Sequence, residues 1–257
     1  MNDARIAIRQ VRYEQLSFWR NPASAFFAII LPIIFLVIFG IIFGSSNTVV
    51  SGHRISYNDY YVPALVAFGM LGACFTNIAV SLSIRRDDGV LKRLRGTPLP
   101  PWAFIAGVIG SSVVVSAVLA AFTTLFGIVA YHITPPQHVA ALVLALAVGA
   151  MTFCALGLAM TVAIPNADAA PAVVNAVLLP LVFISGTFFP IDQSLVLAKI
   201  ATYFPVRHLI NAIYLGFDPA HTTAGGIDWN DYLVMTLWGL AGLVIAVRTF
   251  RWEPSRR

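Results

Sequence analysis

The feature that most constrains this chain is a series of apolar runs, each about twenty residues long, the length that crosses a bilayer as an α-helix. The runs occupy residues 25–43, 61–84, 101–130, 139–164, 172–188 and 232–250. Apolar residues make up 59% of the chain and charged residues 11%. A soluble domain has about 25% charged residues, so this surface is too apolar for water. The sequence therefore predicts an all-α membrane protein with six transmembrane helices.

Residues 1–24 differ in character from the six-span domain of residues 25–257 that follows them. In a helix, Ile8 and Val11 share a face with other apolar side chains, while arginines lie on another face. This pattern predicts an amphipathic helix that lies along the membrane surface, with a frayed tail as the alternative. Asn21-Pro22 then breaks this helix and begins the next one.

Lysine and arginine are unevenly distributed among the connections between the runs. With six crossings, the N-terminal segment, the connection at residues 85–100 and the C-terminal tail share one side and contain thirteen of these residues. The opposite side contains three, namely Arg54, Lys199 and Arg207. Because positive residues are retained in the cytoplasm, both termini are expected there. We expect a multi-pass protein of the plasma (inner) membrane.

The connection at residues 85–95 predicts a short charged helix on the cytoplasmic side. Acidic residues at its start and basic residues at its end complement a helix dipole. Val90, Leu91 and Leu94 form a small apolar face at helical spacing. Two interpretations are open: an orientation signal with a solvated surface, or a plug that enters a groove on a partner.

The last external connection, residues 189–231, is too apolar for an ordinary loop. It contains short semi-apolar segments that are interrupted by Pro190 and Pro205. Segments of 10 to 14 such residues are too short to span and are typical of re-entrant helices. We expect two short helices at about residues 191–215 that dip back into the outer leaflet.

Several functional classes conflict with the sequence. The two lysines, Lys92 and Lys199, lack the glycine-rich context and the following Ser/Thr of a P-loop, so ATP hydrolysis is not expected in this chain. The central turns of the runs lack Asp, Glu, Lys and Arg, which disfavours an ion-coupled carrier, an intramembrane protease and a metal enzyme. The net charge is +5, but the basic residues lie beside the apolar runs, where orientation signals are found. No nucleic-acid partner is therefore expected. We predict no catalytic residue, no metal site and no cofactor.

Aromatic and glycine positions within the runs suggest two further roles. Phe35, Phe39, Phe183 and Phe188 could line a path for a lipophilic molecule, and the alternative is that they face lipid. The first run ends with Gly40 and Gly44 at the small-xxx-small spacing that allows close helix approach. These two glycines are predicted to contact a second permease subunit.

Two motifs make the chain resemble the type 2 ABC transporter permeases, especially the daunorubicin-resistance and multidrug exporter branch. Asp88–Leu91, Leu94 and Thr97–Leu99 match a signature that follows the second span of that branch. Ser185–Pro190 is similar to the family's SG-x-F-F-P motif at the outer end of the fifth span. Asp87-Asp88 replaces the Arg-Glu that often precedes the signature glycine, and it retains the acid.

The resemblance implies that the first 24 residues are the family's elbow helix and that the charged connection contains its coupling helix. That helix would seat in a cleft of an ABC-type ATP-binding subunit. The residues that the resemblance assigns to this contact are Arg85, Arg86, Asp87, Asp88, Gly89, Leu91, Arg93, Leu94 and Arg95.

The resemblance also implies an assembly of two permease subunits, as a homodimer or a heterodimer, with two ATP-binding subunits that bind ATP and magnesium. The expected function is ATP-driven export of a hydrophobic drug, antibiotic or lipid-like molecule. An export subunit for a glycolipid or polysaccharide precursor is the first alternative. A membrane scaffold that recruits a cytosolic partner without transport is the second.

Overall fold

The computed structural model describes residues 3–44, 46–50, 53–97, 99–189, 196–218 and 225–249, and these are mostly helical. The elements are α1 Asp3–Trp19, α2 Pro22–Phe43, β1 Asn47–Val50, β2 His53–Ser56, α3 Tyr57–Met70, a π-helical segment Leu71–Thr76, α4 Asn77–Asp87, α5 Val90–Arg95, α6 Pro101–Tyr131, α7 Val139–Met160, α8 Ala170–Ile184, α9 Val196–Ala201, α10 Pro205–Phe217 and α11 Trp229–Thr249.

Each of the six predicted runs coincides with a helix, with bounds that differ by a few residues. Among the described residues, four stretches are long and apolar enough to cross a bilayer: Tyr57–Asp87, Pro101–Tyr131, Val139–Met160 and Trp229–Thr249. Two shorter apolar stretches are Ile29–Phe43 within α2 and Ala170–Ile184, which is α8. The described residues are mostly helical, with four long and two shorter apolar helices, in agreement with the predicted helical membrane protein. The layout of six complete spans stays a prediction, because the fifteen residues of α8 extend only about 22 Å against a hydrocarbon core of about 30 Å.

Local sequence explains where several helices begin. Pro22, Pro101 and Pro205 each occupy the first helical position, where the missing N–H costs nothing and the fixed φ suits the helix. At the start of α3, Ser56 Oγ accepts a hydrogen bond from the backbone N–H of Asn58 at 3.1 Å. These four residues therefore determine where α2, α3, α6 and α10 begin.

The second run is one long helical span with a π-helical segment at its centre. α3, the π-helical segment and α4 follow one another without a break from Tyr57 to Asp87. Gly157 of α7 packs against this segment, and a Cβ at that position would lie 2.8 Å from the carbonyl oxygen of Phe75. Glycine is therefore needed for α7 to approach the backbone of the span so closely.

The spans differ in how deeply they lie within the chain. In the most apolar window of Tyr57–Asp87, 67% of the residues are buried, against 22% in the window of α11. Tyr61, Leu65 and Met70 of α3 are fully buried. The α3–α4 span is therefore the central element of the fold, and α11 lies at the edge, packed against α7.

The helices meet at two ends, which are defined here by the elements they contain. The α5 end holds α1, α5, the start of α6 and the connection from α7 to α8. The hairpin end holds β1, β2, the connection from α6 to α7, α9 and α10. At the hairpin end, Asp59 of α3 accepts a hydrogen bond from the backbone N–H of Thr134 at 2.9 Å, and His138 donates its backbone N–H to the carbonyl of Gly216 at 3.0 Å.

The sequence does not predict the hairpin, which lies between the first and second apolar runs. β1 and β2 pair antiparallel, with Asn47 opposite Ser56 and Val50 opposite His53. The strands are only four residues each, too short for an alternating apolar pattern to stand out beside the long runs.

The N-terminal segment is a helix, as predicted, and it lies against α6. Gly107 and Gly110 of α6 leave room for Gln10 and Val11 of α1. The side chain of Gln15 also donates a hydrogen bond to the carbonyl of Ser111 at 2.8 Å. α1 is thus fixed to the start of α6, and its placement along a membrane surface stays a prediction.

Candidate coupling and transport site

The charged connection is not one helix over residues 85–95. α4 continues to Asp87, Asp88 caps it, and Gly89 then adopts a left-handed conformation with φ of +69° before α5 begins. A side chain at Gly89 would be strained in that conformation, which explains the glycine at this turn. The turn separates the nine residues of the predicted coupling site into two groups.

Arg85 lies in the first group and contacts α1. Its guanidinium donates two hydrogen bonds to the carboxylate of Glu14, at 2.8 and 2.7 Å. The same guanidinium lies 5.7 Å from the centre of the Phe104 ring on α6, within cation–π range. Arg85 therefore joins α4 to α1 and α6 within the chain.

Arg86 is buried, with 6% of its surface exposed. Its two terminal nitrogens donate to the carbonyl oxygens of Thr161 and Ile164, at 2.9 and 2.7 Å. Thr161 caps the carboxyl end of α7, where backbone carbonyls lack helical partners and a cation is favoured. Arg86 thus closes the end of α7 and holds the turn that follows it.

Asp87 contacts the same connection from the other side. Its Oδ2 accepts a hydrogen bond from the backbone N–H of Ala167 at 2.5 Å, three residues before α8 begins. Its Oδ1 also lies 3.5 Å from Nε of Arg86. Together the two side chains attach the end of α4 to the whole turn from α7 to α8.

The second group of coupling residues presents a different surface. Leu91 is fully buried and belongs to the chain's own core, and Leu94 is half-buried against it. Arg93 is exposed, as are Asp88 just before the turn and Lys92, which is not one of the nine residues. The side chain of Arg95 and residue Pro98 lie outside the described part of the structure. The contact with an ATP-binding subunit stays a prediction for all nine residues, and the exposed surface that the structure shows is charged rather than apolar.

The four phenylalanines predicted to line a path form one aromatic cluster. Phe188 lies with its ring centre 5.5 Å from that of Phe35, 6.0 Å from Phe39 and 5.2 Å from Phe183. Phe188 is buried, whereas 54% of Phe183 is exposed. The cluster brings together α2, α3 and the end of α8, because Phe39 also stacks on Tyr61 at 4.8 Å. A path for cargo along these rings stays a prediction.

Two polar side chains beside the cluster were missed by the sequence analysis. Tyr61 Oη and Thr187 Oγ1 are buried and have no hydrogen-bond partner among the described residues. A buried hydroxyl without a partner is costly, so each is a candidate to bind a group from outside the chain. Thr187 lies inside the Ser185–Pro190 motif. Its place in that motif was the one feature of the sequence that could have pointed to it as a functional residue.

Of the two glycines predicted to contact a second permease subunit, Gly40 serves packing within the chain. A Cβ at Gly40 would lie 2.5 Å from the ring of Tyr131 on α6, so this glycine makes room for that tyrosine. Gly44 directly follows α2, and its backbone N–H donates to the carbonyl of Gly40 at 2.9 Å. A contact of either glycine with a second subunit stays a prediction.

A buried polar cluster at the hairpin end was also missed. His208 of α10 lies with Nδ1 2.6 Å from Asp231 of α11 and with Nε2 2.8 Å from the carbonyl of Thr202. Asn211 donates to the other carboxylate oxygen of Asp231 at 2.6 Å. Burial lowers the pKa of His208, but the bonds to Asp231 and Thr202 outweigh it and raise the pKa above its ordinary value. The cluster joins α10 to α11, and its partners are too far apart in sequence for spacing to reveal them.

Helices α9 and α10 lie where the sequence predicts two short re-entrant helices. α10 is mostly buried and packs against α3, α7 and α11, while Val196 and Leu197 of α9 are exposed. Residues 191–195 of the predicted range lie outside the described residues. The insertion of α9 and α10 into the outer leaflet of the membrane stays a prediction.

Comparison with known families gives the site its context. The chain matches the model described as ABC-2 type transporter over residues 9–217, which is most of its length. It belongs to the ABC-2 type transporter family. This membership confirms the resemblance seen in the two sequence motifs, and it identifies a transport permease rather than an enzyme. Together with the apolar helices, it supports an integral membrane protein.

Two transport permeases are similar to this chain over most of its length. The inner membrane transport permease YadH of Escherichia coli K12 is 24% identical over 259 residues, covering 94% of each chain. A putative transport permease, ycf38 of Porphyra purpurea, is 26% identical over 232 residues, covering 87% of this chain and 76% of the relative. ABC-2 permeases normally work with an ATP-binding subunit.

Proposed function

We propose that this chain is the permease subunit of an ATP-driven exporter of the bacterial inner membrane. It would move a hydrophobic drug, antibiotic or lipid-like molecule outward, and two copies of an ABC-type ATP-binding subunit would supply the energy. A second permease subunit, identical or related, would complete the pathway. The α5 end would face the cytoplasm, with both termini on that side, in agreement with the distribution of positive residues.

The observation that carries this proposal is the way α5 is presented. Leu91 anchors the helix in the core, while Lys92 and Arg93 project from it as an exposed basic surface. Arg93 also donates to the carbonyl of Asp88 at 3.3 Å, which holds α5 close to the turn at Gly89. A short, anchored and charged helix is suited to transmit force from a partner, because it cannot move without moving the end of α4.

The aromatic cluster supports an apolar cargo. Its rings present large apolar surfaces with an exposed edge at Phe183, and pockets for small molecules are lined mainly by such side chains. The hydroxyls of Tyr61 and Thr187, which have no hydrogen-bond partner in the described part of the chain, would add a few polar contacts. A lipophilic molecule with a small number of hydrogen-bonding groups fits this composition better than a sugar or an ion.

The decisive experiment reverses the charge of Arg93. The proposal places Arg93 against acidic groups of the ATP-binding subunit. Arg93→Glu would bring like charges together there and is expected to reduce co-purification with that subunit at least about tenfold. ATP-dependent uptake of a lipophilic dye into inside-out vesicles should fall with it. Leu91→Asp is a poor test, since a charge at this fully buried position would disturb the fold itself.

Arg54→Glu is the matched control, because Arg54 is an exposed arginine of β2 at the hairpin end. It should leave association and dye uptake unchanged. If the wild-type chain co-purifies with no ATP-binding subunit, or if Arg93→Glu behaves like the control, the proposed role of α5 is wrong.

A glycolipid or polysaccharide precursor is the second candidate cargo, since aromatic rings also stack on sugars. Competition between the dye and a lipid-linked oligosaccharide in the same vesicles separates the two. A scaffold without transport would bind the ATP-binding subunit and move neither molecule.

A further inference from the structure

The turn before α8 is attached to the central span. Arg86 and Asp87, at the end of α4, bind the backbone of Thr161, Ile164 and Ala167 at 2.9, 2.7 and 2.5 Å. These contacts go to backbone atoms on both sides of the turn, so they constrain its path whatever its side chains do. The amino end of α8 is therefore held by α4.

The other end of α8 is attached to the same span. The hydroxyl of Tyr60, in the first turns of α3, donates to the carbonyl of Gly186, two residues after α8 ends. Gly186 has a φ of +84°, and Arg207 of α10 donates to the neighbouring carbonyl of Ser185 at 3.3 Å. Tyr60 is buried, so this bond is shielded from competition by water.

Between these attachments α8 rests on one narrow stripe. Of its fifteen residues, all of them described, the buried ones recur every four positions: Ala170, Val174, Leu178 and Val182. α8 packs with α4 and α9, and Val177, Leu179 and Phe183 are exposed on its other faces. A helix with a single buried stripe and both ends fixed to one neighbour follows that neighbour when it moves.

We propose that the α3–α4 span and α8 move as one unit, so that a displacement of α5 reaches Phe183 and Phe188 at the hairpin end. Arg86, Asp87 and Tyr60 are the positioning residues that bind α8 into this unit. The inference rests on the proposed function, because it takes α5 as the place where the ATP-binding subunit acts. It assigns Arg86 and Asp87 a role inside the chain instead of at the partner's surface.

The first experiment cuts each attachment separately and measures dye transport per ATP hydrolysed in the purified complex. Arg86→Gln removes the attachment at the α5 end, and Tyr60→Phe removes one hydroxyl at the hairpin end while it keeps the ring. Transport per ATP should fall about tenfold in both variants, and Tyr60→Phe, which lies far from α5, should retain ATP hydrolysis and subunit association. Arg9→Gln and Tyr13→Phe make the same chemical changes at exposed positions of α1 and should have no effect.

The second experiment measures the motion directly by pulsed electron spin resonance. Spin labels are placed at exposed Ile84 of α4, Val177 of α8 and Val244 of α11, after the buried Cys74 and Cys154 are replaced by alanine. Between the nucleotide-free and ATP-bound complexes, the distance from α4 to α8 should stay constant while the distance from α8 to α11 changes. In Tyr60→Phe the distance from α4 to α8 should change as well.

The outcomes separate this inference from the proposed function. If the wild-type complex shows neither ATP-dependent transport nor any distance change, the proposed function fails. If it does show them, but the α4–α8 distance changes as much as the α8–α11 distance, the single moving unit is wrong. Unchanged transport per ATP in both Arg86→Gln and Tyr60→Phe leads to the same conclusion.

Discussion

At the α5 end the buried charge of Arg86 is bound by backbone carbonyls, whereas at the hairpin end the buried charge of Asp231 is bound by side chains. Arg86 closes the end of α7 through the carbonyls of Thr161 and Ile164. Asp231 instead accepts hydrogen bonds from His208 and Asn211, both on α10. The first arrangement fixes the path of a connection, and the second joins two helices through side chains.

The two arrangements should respond differently to substitution of the side chains that form them. Backbone carbonyls cannot be mutated away, so at the α5 end the contacts of Arg86 can be lost from one side only. The hairpin end depends on two ionisable partners, and loss of either leaves the other buried without compensation. The following predictions test this contrast.

The largest effect is expected from removal of the carboxylate at the hairpin end. Asp231→Leu would leave His208 buried beside an apolar side chain and Asn211 without its acceptor. Breaking a buried charged pair from one side costs about 4 kcal/mol, so the free energy of unfolding in detergent should fall by about that amount. Asp168→Leu changes an exposed aspartate of the α7–α8 connection and should cost about 0.5 kcal/mol or less. Equal losses in the two variants would show that the cluster is not stabilising.

A somewhat smaller effect is expected from Arg86→Met at the α5 end. The apolar stem is kept, but the carbonyls of Thr161 and Ile164 lose a charged donor, which costs about 3 kcal/mol. Arg86→Lys restores the charge without the two-pronged guanidinium and should recover only part of the loss. Full recovery with lysine would mean that the positive charge alone holds the α7–α8 connection, and that the two separate donors of the guanidinium are not required.

The ion pair between Arg85 and Glu14 tests the same end at a more exposed position. Its two side chains are 25% and 11% exposed, so water screens the pair more than it screens Arg86. A double-mutant cycle with Arg85→Gln and Glu14→Gln should give a coupling of about 1 kcal/mol, reduced at high salt. A coupling near zero at low salt would indicate that α1 is held on α6 by packing alone.

The positions of the helices could be predicted from the sequence because length and apolarity are sufficient to identify a membrane-spanning segment. The break at Asn21-Pro22 and the start at Pro101 were also predictable, since proline acts locally. The four-residue strands were not, because such short elements depend on pairing with each other. Local signals therefore revealed where elements lie, and contacts distant in sequence decided the rest.

The residues of the candidate site could be predicted where a local pattern marked them, and not where contacts distant in sequence define them. Phe35, Phe39, Phe183 and Phe188 were chosen by residue type, and the structure brings them into one cluster. The sequence predicts one short charged helix over residues 85–95, and it does not show that Gly89 adopts a left-handed conformation before α5 or that Leu91 belongs to the chain's own core. The partners of Arg86 are main-chain atoms 75 and 78 residues away, which no pattern of side chains reveals.

The smallest predicted effect is a dependence of stability on pH that comes from His208. Burial lowers the pKa of this histidine, but its bonds to Asp231 and to the carbonyl of Thr202, together with the charge of Asp231, raise the pKa above 6.5 against the opposing charge of Arg207. Below pH 6.5 the imidazole is protonated in both the folded and the unfolded chain, so its contribution is fully present. As the pH rises from 6.5 through the raised pKa, the folded chain loses that proton and the contribution disappears. Stability should therefore decline over this window in the wild type and stay flatter in His208→Gln, as measured by unfolding in detergent. A wild type that gains stability over the same window would mean that burial lowers the pKa of His208 below 6.5, so that the histidine is buried neutral beside Asp231.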